Sequence, residues 1–139
     1  MPLVVPDTGE LRLLDIMLRL ALSTNENQIL KLFQSDSTPS ASSAPGSFTE
    51  ANFTNYAART LSRATWNAAA TVSNKAESSY GSTPQSWTCG ATPNTVYGYW
   101  VEGSTSATCL WAERFSTSRV VANGDVLNIT PKFTLASET

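Results

Sequence analysis

The rhythm of apolar positions changes twice along the chain. Leu3-Val4-Val5 lies between Pro2 and Pro6, and both prolines disfavour helix there, so 1–8 reads as an extended arm. From Gly9 the run ELRLLDIMLRLAL follows a helical period over 9–22, with Asp7 and Glu10 spaced as a capping box. On a wheel of about 100° per residue, Arg12, Asp15 and Arg19 share a narrow polar wedge. Leu11, Leu13, Leu14, Ile16, Met17, Leu18, Leu20, Ala21 and Leu22 fill the remaining arc of roughly 240°. A helix resting on its own sheet needs an apolar stripe of only about 100°, so this one is expected to be covered from two sides. Either the domain wraps it or a second subunit or partner supplies the other wall.

Beyond the helix the pattern turns to short β-type runs. Residues 27–34 (NQILKLFQ) predict a strand, and 35–47 (SDSTPSASSAPGS), without a large apolar residue, predict an exposed flexible loop. Thr49 to Phe53 suggests one short helical turn. The rest, 48–139, reads as a β-rich body with strands at 56–63, 66–72, 75–80, 85–89, 94–102 and 107–115. NTVYGYWVE (94–102) is the densest in aromatic and β-branched residues and is expected to be central; it turns at Glu102-Gly103-Ser104. Asn123-Gly124 signals a hairpin, after which Val126, Asn128 and Thr130 alternate with Leu127 and Ile129 up to Pro131. The expectation is one mainly β domain, an antiparallel β-sandwich or barrel, with an N-terminal extended arm and one amphipathic helix.

Composition removes several function classes. Of 139 residues only 14% are charged, none is His, and Ser plus Thr make up about a quarter. Without imidazole, the commonest means of general acid–base, nucleophile-activating and metal-ligating chemistry are missing. Nine basic residues are scattered without a stripe, which speaks against nucleic acid. Charges interrupt the apolar N-terminal run, so it reads neither as a signal core nor as a membrane span, and synthesis in a host cytoplasm is expected. No cofactor is expected: the glycines follow no phosphate-loop spacing, and two cysteines without His do not make a metal site.

Cys89 and Cys109 read as buried thiols rather than a disulfide. In a meander of 85–89, 94–102 and 107–115 the middle strand would hold the outer two about 9–10 Å apart, beyond disulfide reach. Only facing sheets would bring them together, although the mirrored Trp87-x-Cys89 and Cys109-x-Trp111 hints at matching faces. Trp87, Trp100 and Trp111 sit inside strand-like runs and are expected to fill the core. Glu113, Arg114 and Arg119, near Trp111 and Tyr99, could compose a polar site, but a solvated strand face with an ion pair is the plainer expectation.

The segments PLVVPDTGELRLLDIMLR, NTVYGYWV, LWAERFSTSR and ANGDVLNITPKFTL together resemble small virion proteins of tailed bacteriophages, especially capsid decoration (cement) proteins. The resemblance implies a non-enzymatic structural protein on the outside of the capsid, a homotrimer reinforcing capsomer contacts, with the major capsid protein as partner. It implies no catalytic residues. Leu3, Val4 and Val5 of the arm and Leu13, Met17 and Leu20 of the helix are then the expected partner contacts, the arm adding a strand to a neighbour's sheet edge. Two rivals remain: a tail or fibre component that attaches to a host cell, through a glycan in one version, and a small hydrolase built on two of Glu102, Glu113 and Asp125.

Overall fold

The computed structural model describes residues 5–6, 26–68, 70–73 and 75–136. The predicted arm, apart from Val5 and Pro6, and the predicted helix over 9–22 lie outside the described residues. Nine strands appear among the described residues, all paired antiparallel: β1 (Gln28–Phe33), β2 (Arg59–Leu61), β3 (Ala70–Val72), β4 (Lys75–Ser79), β5 (Gln85–Thr88), β6 (Asn94–Gly103), β7 (Cys109–Val121), β8 (Val126–Ile129) and β9 (Lys132–Ala136). They form a four-stranded sheet in the order β2-β1-β6-β7, a three-stranded sheet β3-β4-β9 and a two-stranded sheet β5-β8. The mainly β, antiparallel architecture is the one that the alternation predicts.

The alternating side-chain direction of strands explains the two-sided core. Leu30 and Leu32 of β1, with Val96, Tyr99 and Val101 of β6, face the larger cluster. There they meet Trp87 of β5 and Leu127 and Ile129 of β8, so one face of the large sheet packs against the small sheets. Phe33 of β1, Trp100 of β6 and Cys109 and Ala112 of β7 point the other way. They are covered by Phe48, whose ring stacks on Phe33 at 4.9 Å and on Trp100 at 5.4 Å. Trp87, Trp100 and Trp111 are buried as expected.

Segment 35–47, expected to be an exposed flexible loop, carries no strand or α-helix and leads to Phe48 on the sheet. The Ser40 N–H donates to Ser43 Oγ at 3.0 Å, the Thr49 N–H to Ser35 Oγ at 3.1 Å, and Pro45–Ser47 form a 3-10 turn. Thr49 to Phe53 is not helical: Glu50 bridges Phe33, and the Ala51 N–H donates to the Leu32 carbonyl at 2.9 Å. Among the described residues of 66–72, Ala70–Val72 form a strand, while Trp66 makes a single bridge to Tyr80.

The Asn123-Gly124 turn forms, with Gly124 at φ 89° and the Asp125 N–H donating to the Ala122 carbonyl at 2.9 Å. It is not a hairpin turn. β7 pairs with β6 and β8 with β5, so the chain changes sheet there. For the same reason the expected meander fails at its first member, because β5 pairs with β8 and not with β6.

A β-bulge separates the cysteines further. Val101 faces Trp111 while Glu102 faces Cys109, leaving Leu110 as the extra residue. Leu110 and Trp111 therefore both enter the larger cluster, and Cys109 enters the smaller one, away from Cys89. Both thiols are free and buried, and burial, reinforced by Glu102, pushes the Cys109 thiol up to about 12. The matching faces hinted at by the Trp-Cys pattern do not occur.

Candidate functional site

β7 is the common wall of two clefts, one at each of its ends. At the Leu110 end the bulge presents two successive side chains to the same side. There Leu110, Trp111, Gln28, Arg63, Trp66, Ser78 and Phe133 line a cleft of about 280 Å³. Its aromatic walls touch: Trp66 meets Trp111 edge-on at 6.0 Å between centroids, and Trp111 meets Phe133 at 5.3 Å. The Trp66 indole N–H donates to Gln28 Oε1 at 2.9 Å, which fixes both side chains. Apart from Arg63, Gln28 and Ser78, this cleft is apolar.

The second cleft arises from a larger irregularity. Val96 faces Arg119 and Gly98 faces Arg114, so four residues of β7 (115–118) lie opposite Tyr97 alone. Such an insertion bends the strand away from its partner, a device often found beside binding sites. The opening, about 240 Å³, is lined by Glu113, Arg114, Phe115, Ser116, Thr117 and Arg119 of β7 and by Leu127, Asn128 and Ile129 of β8. Leu127 and Ile129 are buried and form an apolar floor, while Ser116, Thr117, Arg119 and Asn128 are exposed. The opening thus combines an apolar floor with several exposed hydrogen-bonding residues.

The polar groups of this second cleft have distinct roles. Glu113 Oε2 accepts a hydrogen bond of 2.6 Å from the Tyr99 hydroxyl. Burial, and then Glu113 itself, raise the Tyr99 pKa, with the Trp111 indole opposing them. The Arg114 guanidinium donates to the Ser37 carbonyl at 3.0 Å, forms an ion pair with Asp36 and lies over the Tyr97 ring at 5.4 Å. Arg114 thus fastens the 35–47 segment. Arg119, by contrast, makes no ion pair or hydrogen bond through its side chain among the described residues.

Glu113, Arg114 and Arg119 all line this cleft, but the Arg114 guanidinium lies over Tyr97 toward the far face of the sheet and pairs with Asp36 rather than with Glu113. Phe115, Ser116, Thr117 and Asn128 were not anticipated. The run FSTSR, where β-type alternation lapses within a strand, is the signal that marks the bulge. The carboxylates suggested for hydrolysis do not converge. Glu102 lies on the opposite sheet face beside Lys31, and Asp125 is exposed in the turn, where it accepts the Ala122 N–H at 2.9 Å. No group of three potential metal ligands occurs among the described residues. Of the expected partner contacts, Val5 is half-buried against the larger core cluster. Leu3, Val4, Leu13, Met17 and Leu20 lie outside the described residues.

Residues 5–134 match the family model described as podophage GP4 fiber I protein gp80. No curated protein matches the chain.

Proposed function

The chain belongs to the podophage GP4 fiber I protein gp80 family, and from that premise we propose that it is a fibre subunit that helps attach the virion to a saccharide on the host surface. A bacteriophage virion structural protein is what the family makes it; the attachment role is our reading. Family membership carries the fibre over the capsid-decoration alternative, because the name is that of a fibre and not of a shell protein. The cleft between β7 and β8 supports the ligand class. Phe115 offers an aromatic face to the apolar side of a sugar ring, and Glu113, Ser116, Thr117 and Asn128 offer the mixed donors and acceptors that hydroxyls require. Its volume suits about one sugar unit, since it falls below the usual ~300 Å³ lower bound for drug-sized pockets. In this reading the protein acts by binding and not by turnover.

Two measurements test it. Copy number by quantitative mass spectrometry of purified particles should give a handful of chains per virion; a ratio near that of the major capsid protein would return the protein to the shell. Purified chain should bind polysaccharide extracted from host cells, and Phe115→Ala and Asn128→Ala should each weaken that binding while leaving the fold intact. Undiminished binding by both variants would move the site elsewhere.

A further inference from the structure

Most described cations already have a partner. Lys31 sits between Glu102 at 2.8 Å and Glu50 at 3.7 Å, and Lys132 lies 3.3 Å from Glu77. Arg59 donates to the Ser86 carbonyl at 2.7 Å and covers the Trp87 ring, and Arg114 is held by Asp36 and Ser37. Of the cations whose side chains are described, the two left over are Arg63 and Arg119, and each lines one of the two clefts. A guanidinium without an internal partner in a cleft lining is a fork for a planar anion, which it binds through two parallel hydrogen bonds. Around Arg63 the walls are aromatic, and the Gln28 and Ser78 side chains are engaged by Trp66 and by the Asn67 carbonyl. Around Arg119 they are hydroxyls and an amide over an apolar floor, which is the setting for a charged polyol.

We infer that the cleft between β7 and β8 takes an acidic saccharide, with its anionic group on Arg119 and its hydroxyls toward Asn128 and Glu113. This rests on the saccharide reading of the same cleft and names the charge of the sugar. The Glu113 carboxylate sets the orientation. It repels an anion and accepts from hydroxyls, so the ligand's charge is directed to the Arg119 end and its hydroxyls to the Tyr99–Glu113 end. Arg114 does not compete for the anion because Asp36 already neutralises it.

The test uses the full chain titrated with glucose, glucuronate and glucose 6-phosphate at low ionic strength, followed by nuclear magnetic resonance or calorimetry. Glucuronate, glucose 6-phosphate or both should bind at least about tenfold more tightly than glucose, and added salt should erode that advantage. Preference for glucuronate identifies a carboxylate sugar, and preference for glucose 6-phosphate a phosphorylated one. Arg119→Ala should reduce the acidic ligand to the affinity of glucose and Arg119→Lys should restore part of it, whereas Lys132→Ala, away from the cleft, should change nothing. Equal binding of all three sugars, or an acidic preference that survives Arg119→Ala, would overturn the assignment of charge and leave the saccharide reading standing. Failure of host polysaccharide and all three sugars alike to bind would overturn both.

Discussion

Lys31 Nζ lies 2.8 Å from Glu102 Oε1, a diagonal pairing of β1 with β6 on the sheet face that carries Phe33, Phe48 and Trp100. The other oxygen, Glu102 Oε2, accepts the Trp100 indole N–H at 2.9 Å, so one buried carboxylate satisfies both a cation and an aromatic donor. Lys31→Met would leave that carboxylate without its counter-charge. Its lysine end reaches solvent, so a loss of about 1–3 kcal/mol in urea unfolding is expected, below the 3–5 kcal/mol of a fully buried pair. The double variant Lys31→Met, Glu102→Gln keeps an acceptor for Trp100 and should lose less than the two single variants summed. Additive losses would mean that the two residues are not coupled.

Groups on both faces of the large sheet make stability fall at alkaline pH: Lys31 beside Glu102, and Tyr56 and Tyr99 against the larger cluster. Burial lowers the Lys31 pKa, but Glu102 and then Glu50 outweigh it and the net direction is upward. Tyr56 and Tyr99 are also raised, first by burial. At Tyr56 the Leu32 N–H, which donates to its hydroxyl at 3.1 Å, opposes the rise, and Glu50 adds to it. In each case the native state keeps a proton that the unfolded chain releases near its ordinary pKa of about 10 to 10.4. The lysine contribution is fully present below that range and is lost as pH rises through the raised folded value; native tyrosines that resist ionisation add slope of the same sign. Unfolding free energy should therefore decline above about pH 10, and more gently in Tyr56→Phe or Tyr99→Phe. Denaturant curves from pH 8 to 11 would show this, and identical slopes in wild type and variants would contradict it.

At Gly98 β1, β6 and β7 meet without room for a side chain. A Cβ there would lie 2.1 Å from the Glu113 carbonyl oxygen on β7 and 2.6 Å from Phe33 Cζ on β1. Neither neighbour can swing aside, one being backbone and the other packed against Phe48. Gly98→Ala should cost about 3 kcal/mol or more, or prevent folding. Gly46→Ala, with no atom within 4 Å of the added carbon, serves as the control and should unfold near the wild-type midpoint. A stable Gly98→Ala protein would show that β6 and β7 can separate locally.

How far such features can be read in advance depends on what a strand's pattern encodes. Alternation tells which side chains are buried, so the Leu127 and Ile129 face of β8 and the central place of 94–102 were legible. It does not tell which strand lies alongside, and β5 finds its partner in β8 across the 37 residues 89–125, which include the whole β6–β7 hairpin. Asn123-Gly124 fixes a local turn whatever sheet the next strand joins. Bulges defeat the count altogether: one extra residue at Leu110 sends Cys109 and Trp111 to opposite faces, although a regular strand would align them. The polar members of the second cleft, Glu113, Arg114 and Arg119, stood close together in the sequence. Its floor did not, because Leu127 and Ile129 arrive from another sheet.

Arg114 is the residue that joins the cleft to the loop over the far face of the sheet. Its guanidinium holds Asp36 and the Ser37 carbonyl, 78 and 77 residues away in sequence. Asp36 is largely exposed, so the ion pair itself is expected to contribute no more than about 1 kcal/mol to global stability. Its larger effect is local. No residue of the 35–47 segment belongs to either core cluster, and Phe48, which follows it, supplies the cover over Phe33 and Trp100. Asp36→Ala and Arg114→Ala should both raise amide exchange across 35–47 and make it the first site of protease cleavage, while exchange in β1 and β6 stays slow. Asp36→Ala is the sharper of the two because it leaves every residue lining the cleft in place. Unchanged exchange in that variant would assign the order of the loop to its serine hydrogen bonds and to Phe48 alone.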